Sequence, residues 1–275
     1  MHTHLSSLSY VQKPLSSTQD GRRNVLYTVV CNLFDVSRTP TSLSISPPGF
    51  IDPKDETAST KTLCAELLRG NGAILLDRQG RRFVNELGTR DHISGQMMAQ
   101  DPQALDFVIL LTAEQAALAD KHVPMYSNKK LLNHFDTLDE LVAWMRERGD
   151  VTREALRATL TDYVAAAAAG GADAYGKVFF HHAEGFAGDG PWVVGRVTPV
   201  VHYSMGGLSV DDGGRVLTAE GKAVDGLWAA GEVMGGLHGK NRLGGNALTE
   251  YVSRLSTRPS CCGSRQSWTL ITCLI

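Results

Sequence analysis

The stretch GLWAAGEVMGGLHGKNRLGGNALTE, Gly226–Glu250, holds seven glycines around a single arginine, Arg242. It opens as a short buried strand of apolar and small residues and closes at Gly231-Glu232. A strand that ends in glycine lets backbone pass close to a ligand, and an acid there can accept from a sugar or ribityl hydroxyl. An ordinary strand–turn reads equally well. The segment from Gly244 predicts a helix. A helix that begins at a glycine-rich turn offers free N–H groups and a positive dipole end, which together suit an anion. Arg242 can hold a carboxylate beside it through two parallel bonds, or sit in a surface salt bridge.

Upstream, WVVGRVTPVVHYSMGGLSV, Trp192–Val210, runs with a period of two and predicts strands. His202 lies in it, placed either to bond a ligand carboxylate or to satisfy a core carbonyl. Asp211–Gly214 predicts a turn leading into RVLT. Farther back, TLDELVAWMRER, Thr137–Arg148, predicts an amphipathic helix, with acids early, arginines late and Gly149 as a stop. Thr152 predicts the cap of a second helix that Gly170-Gly171 ends. DFVILLT, Asp106–Thr112, reads as a buried strand, DHISGQMMAQ and AEQAALADK as helices, and GAILLDRQGRRFVNE as two strands joined at Asp77–Gly80. Strands and helices mix without βα alternation, so the expected class for the middle of the chain is α+β. Glu66 and Arg69 are three apart and share a face on a helical turn, with Arg90 downstream. One acid between two arginines reads either as an ion-pair cluster or as a proton path.

The 275 residues allow one large domain or two smaller ones. With 27 basic and 29 acidic residues spread along the chain, no basic face stands out, and nucleic acid is not expected as a partner. The longest apolar runs, NVLYTVVCNLF and FVILL, are too short for a membrane span. Five scattered cysteines without CxxC spacing fit a reducing, intracellular compartment: cytoplasm, mitochondrion or a glycosome-like organelle. The Ser-rich N-terminus has a transit-peptide flavour; the plainer reading is a disordered tail. SRTPTSLSISPP reads as linker, with order beginning near GFIDPKD.

Three segments in this order, RGNGAILLDRQGRRFVNELGTRD, VTPVVHYSMGGL and the opening glycine-rich stretch, resemble the soluble FAD-dependent fumarate reductases of the fumarate reductase/succinate dehydrogenase flavoprotein superfamily. GFIDPKD is similar to the yeast-type and trypanosomatid NADH-dependent branch. The resemblance runs from about Pro47 to Glu250. It implies hydride transfer from N5 of reduced FAD to fumarate, giving succinate, with Arg90 as proton donor and Glu66 and Arg69 as the proton path. It implies His202 and Arg242 as holders of the substrate carboxylates, Glu232 as the contact to the flavin ribityl chain, and Gly231 as a further cofactor-binding residue. The helix start at Gly245, Asn246, Ala247 and Leu248 would face the flavin pyrimidine edge. It also implies a fold: a capping domain at 46–200 and the C-terminal part of a Rossmann-like FAD-binding domain at 201–255. Residues 1–45 and 256–275 stay unassigned.

The chain departs from the family at three points. No GxGxxG fingerprint for the FAD pyrophosphate stands upstream of Gly49, so the N-terminal βαβ unit is expected to be missing and FAD to be held loosely. SPPGF replaces the family's HPTGF, leaving Ser46 as the substrate-side residue without a positive charge. After Tyr251 the helix is expected to break at Pro259. Both edges read as frame changes or mis-set gene boundaries, and the LWAAGE strand is expected to lose its usual neighbours. The expected partners are a small dicarboxylate, fumarate, and an electron donor such as NADH acting through missing domains. The competing readings are a non-catalytic remnant, and a flavin reductase of another unsaturated carboxylic acid.

Overall fold

A computed structural model describes residues 43–100, 105–239, 246 and 269–273. For 43–47, 201–204 and 269–273 it describes the backbone alone. Residues 45–202 form one compact unit, and the described residues from Tyr203 onward belong to another.

The first unit is built on a six-stranded sheet. Its strands are β1 (Leu43–Phe50), β2 (Thr62–Leu63), β3 (Ile74–Leu76), β4 (Phe107–Thr112), β5 (Asn133–Phe135) and β6 (Trp192–Ser204). The order is β2-β1-β6-β4-β3, with β5 also paired to β6. β3 with β4, and β4 with β6, run antiparallel, in registers such as Leu75↔Ile109 and Leu110↔Val194. Successive side chains on a strand face opposite sides, so FVILLT, apolar at nearly every position, feeds two cores. Phe107, Ile109 and Leu111 pack on one face with Leu75, Val193 and Val197. Val108 and Leu110 pack on the other with Ile74, Leu76, Trp192 and Val194.

Helices cover both faces. On the first lie residues of α1 (Glu66–Gly70), α2 (Arg90–Gln100), α3 (Ala113–Ala117) and α4 (His122–Asn128): Leu68, Ile93, Met97, Ala116, Val123 and Tyr126. On the second lie α5 (Leu138–Arg146), α6 (Arg153–Ala169) and a 3-10 turn, Ala183–Ala187. α5 begins where its sequence predicts: the Thr137 hydroxyl accepts from Glu140 N, and the Glu140 carboxylate accepts from Thr137 N at 3.2 Å. Thr152 caps α6, and Gly170, at φ +69°, ends it.

Two expectations differ from the fold, and one helix was not foreseen. LSISPP, the end of the segment read as linker, is strand and with Gly49-Phe50 makes up β1. Its two prolines lack N–H groups but keep carbonyls, and Pro48 O accepts from Cys64 N at 3.0 Å. The second strand expected in RRFVNE reduces to a single bridge, Leu76↔Arg82, because Arg82 and Glu86 turn inward to charged partners instead of continuing the ladder. α4 lies in a stretch for which no element was predicted; its Pro124 stands in the first turn, where a missing N–H costs nothing.

The second unit holds β7 (Arg215–Leu217), β8 (Ala223–Gly231) and β9 (Thr269–Cys273), in the order β7-β8-β9. The turn at Asp211–Gly214 is as predicted: the Asp211 carboxylate accepts from Gly213 N and Arg215 N, and Gly214 has φ +76°. β8 has a strand on each side, β7 antiparallel and a second one parallel. β9, from the segment left unassigned, pairs parallel with it from Leu227↔Thr269 to Gly231↔Cys273. The run TLITC is rich in β-branched residues, which favour an extended chain. Leu208, Val216, Leu227, Ala229, Val233 and Met234 form a small core there. Among the described residues no helix is long and apolar enough to cross a membrane.

Candidate functional site

Glu66 and Arg69 occupy the first and last turns of α1, so acid and base oppose the helix dipole correctly. Leu68 between them is wholly buried and ties the turn to the core. Arg90 is the first residue of α2, whose Ile93 and Met97 anchor it on the same core face. These two short elements bring the three residues together. Arg90 grips both oxygens of Glu66: Nε donates to Oε1, and Nη2 donates to Oε2 at 3.0 Å. Arg69 Nη2 lies 3.8 Å from Glu66 Oε1. Two guanidiniums thus share one carboxylate.

Both arginines are buried, while the Glu66 side chain is 39% exposed. Burial pulls the Arg69 pKa below its ordinary value; Glu66 works against that fall and Arg90 adds to it. Arg90 Nη1 is buried and has no hydrogen-bond partner among the described residues. A buried donor left open costs free energy that an acceptor would recover. The cluster carries one positive charge more than its own acid balances, so its chemistry suits an anion with oxygen acceptors. Cys64, beside it, is inert: burial pushes its thiol up to about 12.

Below the trio lies a second ionic cluster that sequence reasoning missed. Glu86 is wholly buried and accepts from Arg82 Nε and Nη2, each at 2.8 Å, and from Lys177 Nζ at 2.9 Å. Arg82 Nη1 also donates to Asp173 at 2.8 Å, and Lys177 Nζ to Tyr163 Oη at 2.8 Å. Only the run of charge in RRFVNE hints at it; Lys177 lies 91 residues from Glu86.

The remaining candidates divide between the units. Ser46 lies in β1 and His202 in β6, strands that neighbour one another in the sheet; their side chains are outside the described residues. In the second unit, β8 ends at Gly231 with φ +81°, and Glu232 follows, buried. Arg242, Gly245, Ala247 and Leu248 lie outside the described residues; Asn246 is helical and half-buried. A cavity of about 370 Å³ is lined by Asp77, Arg78, Arg81, Asp106 and Arg146 among others, and by none of the candidate residues. Arg81 and Arg78 are already bonded there to Asp77 and to the Arg148 carbonyl.

A family model described as FAD binding domain matches residues 35–248. The match continues upstream of Ser46, where the motifs alone suggest a break. The chain is 39% identical over 251 residues to a fumarate reductase of Schizosaccharomyces pombe, covering 91% of this chain and 46% of that protein. It is 37% identical over 241 residues to fumarate reductase 1 of Saccharomyces cerevisiae, covering 86% and 49%. The chain therefore spans about half the length of the curated relatives it matches. The open conformation of a flavocytochrome c3 fumarate reductase superposes with TM-score 0.60 at 28% identity, over 83% of this chain and 38% of that one.

Proposed function

The chain belongs to the FAD binding domain family, and on that premise we propose that it carries the substrate side of a fumarate reductase-type oxidoreductase. The observation that carries this reading is the trio itself: Arg90 held in a two-point grip by Glu66, Arg69 beside it, and one buried Arg90 donor still open. An incoming carboxylate is the acceptor that such a donor fits.

The residues near β8 fit the cofactor that the family implies. Gly231, at φ +81°, puts no side chain at the strand end, and Glu232 sets a buried carboxylate next to it, an acceptor for a hydroxylated chain such as ribityl. The carboxyl end of a strand is also where open α/β sheets place their ligands. FAD, when bound, supplies the hydride, with electrons from a donor such as NADH. Gly231 and Glu232 would hold its ribityl chain, with residues 245–248 at its ring edge.

This chain's own residues do the rest. His202 and Arg242 hold the substrate carboxylates. As negative charge develops on the alkene, Arg90 stabilises it in place and gives up a proton from its guanidinium. An arginine normally keeps that proton, so proton loss has to be brief. Glu66, bonded to Arg90 at two points, returns it, and Arg69 passes protons to Glu66 from the other side. The product is succinate. Ser46 brings no charge to the substrate, which keeps a different unsaturated acid as the second reading.

The test is Arg90→Lys, assayed with added FAD and a chemically reduced dye as donor. Fumarate reduction should fall by roughly 10²–10⁴-fold, the usual size of an acid–base contribution, while flavin binding is unchanged. Normal turnover in the variant would remove Arg90 from the acid role. A wild-type chain that takes up no flavin would instead favour the non-catalytic remnant.

A further inference from the structure

The buried cluster around Glu86 stands outside the proposed chemistry, yet it touches the trio at one point. Arg69 Nη1 donates to the Glu86 carbonyl oxygen at 2.6 Å. This is the shortest contact that either end of the Arg69 guanidinium makes, since Nη2 reaches Glu66 only at 3.8 Å. The orientation of Arg69 therefore depends on where the Glu86 peptide sits.

The carboxylate of the same residue fixes that peptide. It accepts two bonds from Arg82, one from Lys177 and one from Leu75 N of β3 at 3.3 Å. Lys177 is itself held. Its backbone N donates to Asp173 Oδ1 at 2.8 Å, as does Tyr175 N, so residues 173–177 wrap one carboxylate. Tyr175 Oη donates to the Arg82 carbonyl at 2.6 Å, closing the ring. The peptide just beyond is tied as well: the Asn85 side chain accepts from Leu87 N and donates to Gly176 O. Four residues after Glu86 the chain enters α2 with Arg90.

We infer that Glu86 is a positioning residue for the trio: its carboxylate, clamped by Arg82 and Lys177, sets the carbonyl that orients Arg69 toward Glu66. Glutamine in its place could not do the same. Its carbonyl oxygen can accept from Arg82, but its NH₂ would meet the donors of Arg82 or Lys177. The side chain would have to turn, and the peptide with it. Burial works to raise the Glu86 pKa, and the bonds from Arg82 and the charge of Lys177 outweigh it, so the group stays ionised and keeps its hold at neutral pH.

This inference rests on Arg69 belonging to the site, but its test needs neither flavin nor fumarate. Side-chain ¹⁵N spectra of the full chain, assigned with Arg69→Lys and Arg90→Lys, report whether each guanidinium is locked. A locked group gives separate Nη signals, and a freely rotating one gives a single averaged signal. Wild type should show separate signals for both arginines. Glu86→Gln should collapse those of Arg69 while Arg90, gripped by Glu66, keeps its own. Tyr163→Phe removes a partner of Lys177 without touching the carboxylate, and should leave Arg69 locked. If Glu86→Gln does not fold, Glu86→Gln with Lys177→Met removes one charge of each sign and should show the same Arg69 collapse. Arg69 signals that stay separate in a folded Glu86 variant, or that collapse equally in Tyr163→Phe, would overturn the inference. The Arg90→Lys assay can fail independently of either result.

Discussion

Two ionic clusters lie in the same unit, joined by one hydrogen bond, and they are built on opposite plans. The deep one sets two cations, Arg82 and Lys177, against two anions, Glu86 and Asp173, all with side chains at most 6% exposed. The shallow one sets two cations, Arg69 and Arg90, against one anion, Glu66, whose side chain is 39% exposed. In the deep cluster the charges balance and water is shut out. In the shallow one a positive charge is left over and a buried Arg90 donor waits for an acceptor. A buried polar network is stable only when its members are satisfied. The deep cluster meets that condition by itself, and the shallow one leaves one Arg90 donor unmet among the described residues. Composition is nearly the same in the two; the balance of charge and the exposure of one carboxylate separate the closed cluster from the open one.

The sharpest way to break that comparison is to remove the deep anion. Glu86→Ala leaves Arg82 and Lys177 facing one another with a single remaining anion of the cluster, Asp173, on the Arg82 side, and with Lys177 held by the neutral Tyr163 hydroxyl. Uncompensated buried charge is costly, and the variant should lose about 3–5 kcal/mol of stability, read as a fall in the urea midpoint. A loss near zero would mean that water reaches the cluster and that it is no foundation.

Acid should expose the same difference. Glu86 and Asp173 both titrate below their ordinary values of 4.5 and 3.8. For each, burial acts to raise the pKa, and Arg82, with Lys177 at Glu86, outweighs it. A carboxylate whose folded pKa is depressed binds its proton more readily in the unfolded chain. Its contribution is complete above the unfolded pKa and is lost as pH falls through the folded one. Stability should therefore hold down to about pH 4.5 and then decline, by up to about 1.4 kcal/mol per pH unit for each such group. Denaturation midpoints from pH 6 to pH 2 measure the slope. Glu86→Ala should make it shallower, and an unchanged slope would take Glu86 out of the acid limb.

The shallow cluster was legible in the sequence and the deep one was not, for a physical reason. Glu66 and Arg69 are local, one helical turn apart, and Arg90 follows within the same motif. Their meeting needs only two short helices seated on one core. Glu86 stood inside the quoted RRFVNE, but its partners Asp173 and Lys177 come from the loop after α6, a distance along the chain that no periodicity reports. Helices α5 and α6 were legible because Thr137, Thr152 and Gly170 act locally. β1 was not: its serines and prolines carry linker composition, and only neighbours elsewhere in the chain, Cys64 among them, make it a strand. β9 likewise depends on β8 for its pairing. At the candidate site, the roles of the trio came from the resemblance of ordered motifs. Spacing alone left an ion-pair cluster and a proton path equally open.

The smallest expected effect sharpens the comparison from the shallow side. In Glu66→Gln the amide oxygen can still accept from Arg90, and water reaches the position because the side chain there is 39% exposed. The change should cost about 1 kcal/mol, the scale of a partly exposed ion pair, and several-fold less than Glu86→Ala. It also raises the local excess from one positive charge to two. Added chloride or sulfate should therefore recover part of the loss in this variant and little of the loss in Glu86→Ala, whose cations no solvent ion reaches. Urea midpoints with and without salt measure both. If Glu66→Gln costs as much as Glu86→Ala and salt helps neither, then Glu66 is a structural anion like Glu86. The open Arg90 donor would then be a flaw in packing and not a place for a carboxylate.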